Sequence, residues 1–216
     1  MKKFYVLKTT SSQIGVSGFD KSNFDFDSGC QRCGTGSKFV GNLVVKQIEI
    51  VKKDLFATFN FDILISEKLY KIISAEIQNF TLSQTINPKG ELLPYFHLFS
   101  ESVFPKMNKS SEGTQRFRGT PSCKECDRDA YFDKIIFQNN GEPSIIVDKK
   151  YNYTNISEDF IMNSEIFMTW EGFGKSVMSN DTFYIARPQI IISEKIKSIF
   201  EKQKIKKVTY GEVVIN

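Results

Sequence analysis

Apolar positions in this chain fall into two rhythms, a short alternating or continuous one and a helical one. Phe4-Tyr5-Val6-Leu7, set between lysines, predicts a first strand over Lys3–Lys8. Thr9–Gly29 is rich in Ser, Gly, Asp and Asn and reads as an irregular stretch anchored by Phe19, Phe24 and Phe26. Gly34–Gly41 is loop-like, and Asn42–Val51 alternates well enough for a strand through Leu43, Val45, Ile48 and Ile50. Ile63-Leu64-Ile65 predicts a short buried strand. Ser66 follows as an N-cap, with Glu67 in the first turn of a helix whose inner face carries Leu69, Ile72, Ile73 and Ile77. Phe80-Thr81-Leu82 is expected to return as a strand.

This unit recurs. Ile190-Ile191-Ile192-Ser193-Glu194-Lys195-Ile196 aligns with Ile63-Leu64-Ile65-Ser66-Glu67-Lys68-Leu69, Ile199-Phe200 with Ile72-Ile73, and, after a one-residue slip, Val208-Thr209 with Phe80-Thr81. The match includes the cap and both flanking strands, so it reads as an internal repeat. Between the copies, Leu92–Phe99 predicts a strand and Lys106–Ser122 a polar loop. Lys134–Gln138 and Ser144–Asp148 read as strands around an Asn139-Asn140-Gly141 turn. Ile156–Asp181 predicts a short turn or helix followed by a loop holding Trp170 and Phe173. The expected fold is α+β: a single domain, 1–216, built from two related strand–helix–strand lobes (approximately 1–100 and 101–216) with additional antiparallel strands and two main helices.

Composition narrows the class without naming a function. The chain has 216 residues, enough to bury a real core, and its 25% charged and 40% hydrophobic content is that of an ordinary globular protein. Twenty phenylalanines point to an aromatic core. A net charge of +4 is too mild to argue for nucleic acid. The N-terminal apolar run is too short for a signal-peptide core, and no stretch approaches the roughly 20 apolar residues of a membrane span. A cytoplasmic protein that binds no membrane is expected.

All four cysteines lie in two C-x-x-C turns, Cys30-Gln31-Arg32-Cys33-Gly34 and Cys123-Lys124-Glu125-Cys126-Asp127. Two residues between sulfurs let one turn present both thiolates to one ion, so each pair is half of a tetrahedral zinc site. In a reducing compartment such pairs favour metal over disulfide. The expectation is a split site of Cys30, Cys33, Cys123 and Cys126 holding one structural Zn²⁺ and stapling the two lobes. Closing a loop of about 90 residues costs about 4–5 kcal/mol of chain entropy. Structural zinc supplies on the order of 10 kcal/mol or more, so the metal wins. Four thiolates leave no open coordination position, which makes the ion structural, not catalytic. Gly34 and Asp127, each just after a pair, suit a left-handed backbone.

Other candidates are weaker. His97 is the only histidine and sits in an aromatic strand; no G-x-S-x-G elbow accompanies it. Gly172-Phe173-Gly174-Lys175-Ser176 resembles the end of a phosphate-binding loop, but Thr169 stands where that pattern requires glycine, and Gly34-Thr35-Gly36-Ser37-Lys38 is no better. Lys195, Lys197, Lys202, Lys204, Lys206 and Lys207 make the last helix basic, which reads as a solvated face opposite Ile196, Ile199 and Phe200. Trp170, near Gly172, reads as a core anchor. No catalytic constellation emerges, so no enzymatic activity is expected.

On its cysteine turns and its ends, the chain resembles the double-CXXCG motif family of bacterial toxin-immunity proteins. Phe4-Tyr5-Val6-Leu7 is similar to that family's opening strand. Cys30–Gly34 gives a full first motif, and Cys123-Lys124-Glu125-Cys126-Asp127-Arg128-Asp129-Ala130 is similar to the second, with Asp127 in place of glycine. Ile190–Val214 is similar to the closing strand–helix–strand. The resemblance implies a non-enzymatic protein that neutralises one cognate toxin by direct stoichiometric binding. The alternative is a zinc-stabilised nucleic-acid-binding or regulatory module using the basic C-terminal helix.

Overall fold

A computed structural model describes residues 2–9, 13–17, 24–31, 37–48, 51–78, 80–108, 114–116, 123–127, 130–133, 135–137, 143–146, 150–173 and 188–216. The architecture is mixed α+β, with many short strands in several sheets. Its described helices are α1 (Glu67–Glu76), α2 (Glu158–Met162) and α3 (Glu194–Lys202). Two are the expected amphipathic helices, and α2 is a short addition within the stretch read as turn or helix. The chain divides into two compact units, neither contiguous: Met1–Leu7, Ser102–Glu194 and Tyr210–Asn216 in one; Lys8–Glu101 and Lys195–Thr209 in the other.

The Lys8–Glu101 unit centres on a four-stranded sheet in the order Leu55–Ala57, Ile63–Ser66, Leu92–His97, Gln84–Ile86, antiparallel throughout. Ile63-Leu64-Ile65 is buried on both faces, as a continuous apolar run requires. Ser66 closes the strand and caps α1. Its hydroxyl accepts the Leu69 amide at 3.2 Å and donates to Asp54 Oδ1 at 2.8 Å. Leu69, Ile73 and Ile77 are buried and Ile72 partly so, following the helical period. Leu43, Val45, Phe56, Leu64 and Tyr95 form a core with Ile14, Phe39, Ile48, Val51 and Leu93 packed against it. In the same unit, α3 buries Ile196, Ile199 and Phe200. Its Lys195 ammonium donates to the Glu76 carbonyl at 2.6 Å, satisfying one of the open carbonyls at the end of α1.

The other unit holds a five-stranded sheet in the order Lys150–Tyr153, Val208–Ile215, Phe4–Thr9, Ile190–Ser193, Ile166–Met168. Ile190–Ser193 runs antiparallel to both its neighbours and is buried at every position. Phe4 and Phe167 sit edge-on to Phe104, with ring centres 5.9 and 5.0 Å away, and Tyr153 meets Phe104 at 5.0 Å. Phe4, Phe104, Phe167 and Phe173, with Phe160 packed against them, make this an aromatic core.

Several expected elements differ. Among the described residues of Asn42–Val51, the strand is confined to Val45–Lys46, because Gln47 turns the chain at φ +51°. Phe80–Leu82 is irregular; Phe80 is buried against Tyr70 with no ladder, and the strand begins at Gln84. The predicted loop Lys106–Ser122 contains a strand, Thr114–Arg116, paired with Ala130–Asp133. The irregular stretch Thr9–Gly29 carries Val16–Ser17, Phe24–Asp25 and a 3₁₀ turn, Phe26–Ser28. Ile135–Phe137 and Pro143–Ile146 pair antiparallel as expected; the Asn139-Asn140-Gly141 turn lies outside the described residues.

Candidate metal centre

The second cysteine turn is built locally. Cys123–Cys126 closes when the Asp127 amide donates to the Cys123 carbonyl at 2.8 Å. Asp127 sits at φ +54°, the left-handed conformation its position predicts. The Lys106 ammonium donates to both the Asp127 carbonyl (3.2 Å) and its carboxylate (2.7 Å).

Cys30 is set by a pinched neck. Phe24–Asp25 pairs antiparallel with Lys38–Phe39, and the Ser28 hydroxyl accepts the Lys38 amide at 2.9 Å. Gly29 packs directly on Ser37: a Cβ at Gly29 would meet the Ser37 amide nitrogen and hydroxyl at 2.5 Å. Only glycine allows this approach, and the approach closes the loop that carries the first C-x-x-C pair.

The sulfurs of Cys30, Cys123 and Cys126 all lie within 4.8 Å of one another, and the three residues are half-buried. At a Zn–S distance of about 2.3 Å, tetrahedral geometry separates sulfurs by roughly 3.8 Å. The group therefore needs only a small contraction to become three corners of a thiolate cage. Cys33, the expected fourth ligand, lies outside the described residues, as does Gly34. Three sulfurs so grouped suit a soft or borderline ion, not Mg²⁺ or Ca²⁺.

His97 ends its strand with 3% exposure, its ring 5.0 Å from Phe39 and 5.3 Å from Phe99. Its Nε2 stands 3.7 Å from Asp62 Oδ1, and Asp62 accepts the Ser17 hydroxyl, which also bonds Thr58 at 2.7 Å. Serine, aspartate and histidine are thus neighbours in the wrong order for nucleophile activation. The carboxylate stands between the hydroxyl and the imidazole, so His97 cannot take the Ser17 proton. The network instead fixes the turn Thr58–Asp62. The Thr58 amide donates to the Asp62 carbonyl, the Asp62 amide donates to the Thr58 hydroxyl, Phe59 N–H reaches the Gly15 carbonyl, and the Asn60 side-chain amide donates to the Ser17 carbonyl. That turn holds Phe61 at φ +66° and leaves Phe59 and Phe61 56% and 58% exposed. No local motif announces this network, since its members come from separate segments.

A second buried group also escaped the sequence. Glu171 is fully buried and accepts the Met107 amide. Burial, and secondarily the Glu171 carboxylate, push the Tyr153 phenol well above its ordinary value. Phe173 packs beside Tyr131 and Tyr151 in the core, and Trp170 is half-buried. Gly172–Phe173 is a strand paired with Ala130–Tyr131, not the mouth of a phosphate loop; 174–176 lie outside the described residues. On α3, Lys197 pairs with Glu201 at 2.9 Å and Lys202 approaches Glu76 at 3.8 Å, so part of the basic face is neutralised internally.

Among the described residues, no helix is long and apolar enough to cross a membrane. No protein-family model and no curated protein matches the chain.

Proposed function

We propose that this protein is a non-enzymatic, zinc-stabilised immunity protein that neutralises a cognate bacterial toxin by direct stoichiometric binding in the cytoplasm. The observation that carries the metal half is the grouping of the Cys30, Cys123 and Cys126 sulfurs within 4.8 Å. Cys33, two residues beyond Gln31, supplies the fourth thiolate and makes the ion a closed structural centre. Bound there, zinc contributes only cross-linking energy, and the four cysteines hold it without presenting a vacant coordination position.

The partner half is supported by the resemblance of both cysteine motifs to the double-CXXCG pattern. It is also supported by a preformed aromatic turn. Phe59 and Phe61 are held outward by a hydrogen-bonded frame and need little further ordering to enter an apolar cleft of a protein partner. Blocking would then be steric occlusion by a rigid surface. The alternative, a nucleic-acid module using α3, is placed second because Lys195, Lys197 and Lys202 already have partners within the chain.

The test has two parts. Zinc content of reduced, purified protein should be one ion per chain; a value near zero removes the metal centre. Co-expression with a secreted toxin encoded beside this reading frame should restore growth, and the pair should co-purify at one-to-one stoichiometry. Failure to rescue, together with affinity for nucleic acid that falls steeply with salt, would favour the alternative.

A further inference from the structure

We propose that Lys106 is a positioning residue for the second cysteine turn, acting through Asp127; this rests on the metal reading above. Asp127 occupies φ +54°, a conformation that costs a residue with a side chain roughly 1 kcal/mol relative to glycine. The Asp127 amide must nevertheless stay on the Cys123 carbonyl for the two sulfurs to point one way. Lys106 secures both remaining polar groups of Asp127. One ammonium holds the carbonyl at 3.2 Å and the carboxylate at 2.7 Å, which fixes the peptide plane and the side-chain torsion together.

The lysine is itself presented from a rigid base. Phe104 and Met107 on either side are buried, the Phe104 and Asn108 amides bond the Met168 and Asn152 carbonyls, and the Met107 amide bonds Glu171. A charge on so fixed a backbone can orient a turn, where one on a free loop could not. Because Lys106 and Asp127 are 43% and 77% exposed, the effect is modest, at the low end of what outer-shell partners of metal ligands contribute.

The experiment is a double-mutant cycle on zinc affinity of the full chain, read by competition with a chromogenic chelator. The variants are Lys106→Met, Asp127→Gly and the pair, with Lys106→Arg as the conservative control. Lys106→Met should weaken zinc binding about three- to tenfold, and Lys106→Arg should retain most of it. In the Asp127→Gly background, where the turn needs no clamp, the Lys106→Met loss should shrink to under twofold. Equal losses in both backgrounds, or no loss in either, overturn the assignment. A wild-type chain that takes up no zinc overturns the metal reading beneath it, a result distinct from wild-type binding with no effect at Lys106.

Discussion

Gly29 is the position where one methyl group would be felt most. A Cβ there would have to displace the backbone of Ser37, not the flexible end of a side chain. Gly29→Ala should destabilise the protein by about 1–3 kcal/mol in a denaturant melt and reduce zinc uptake in parallel. Tyr153 makes a different residue-scale prediction. Its phenol is buried, has no hydrogen-bond partner among the described residues, and is held protonated by burial and by Glu171. The folded pKa lies above the unfolded value of about 10, so stability is fully present below that pH and falls as pH rises beyond it, where the unfolded phenol ionises first. Tyr153→Phe should therefore leave stability at neutral pH nearly unchanged and flatten the alkaline decline, measured by thermal melts from pH 8 upward. Unchanged alkaline melts in the variant would show that the decline arises elsewhere.

At the scale of elements, Ser66 links a strand to a helix by accepting the Leu69 amide and donating to Asp54. Ser66→Ala should cost about 1 kcal/mol, with the loss read as a lowered melting temperature. Phe200, fully buried on α3, should cost about 3–5 kcal/mol when replaced by alanine. The two strand–helix segments, Ile63–Glu76 and Ile190–Lys202, were legible in sequence for the same reason. Three consecutive branched apolar residues followed by Ser-Glu leave few options but a buried strand entering a capped helix. Asn42–Val51 misled because alternation records which side chains are buried, not whether a ladder forms; Leu43 and Val45 are buried, yet Gln47 leaves the extended region. Phe80 misled similarly, being buried by contact with a helix residue. The candidate site was half legible. Cysteine spacing is a local signal and pointed to the turns themselves. Lys106 lies 21 positions from Asp127, and within the Ser17–Thr58–Asp62–His97 network the bonded pair Ser17 and Asp62 alone is 45 positions apart. Such pairings exist only once the chain has folded.

For the molecule as a whole, the metal is the most consequential expectation. Stripping zinc with a strong chelator under reducing conditions should lower the melting temperature of the entire protein, and Cys33→Ser or Cys123→Ser should reproduce that loss. A chelated protein that melts as before would mean that the sulfur group is incidental to stability.

The division of the chain has a further consequence, for its birth. It crosses between its two compact units at Leu7–Lys8, Glu101–Ser102, Glu194–Lys195 and Thr209–Tyr210. Each unit therefore waits for a late segment. One needs Lys195–Thr209, and the other needs Tyr210–Asn216, whose strand supplies the parallel partner of Lys150–Tyr153. Domains usually fold in order as they leave the ribosome. Here neither unit can be completed on a nascent chain until its part of residues 195–216 has emerged. Stalled chains ending before Glu194 should stay protease-sensitive throughout, and protection should arrive in one late step.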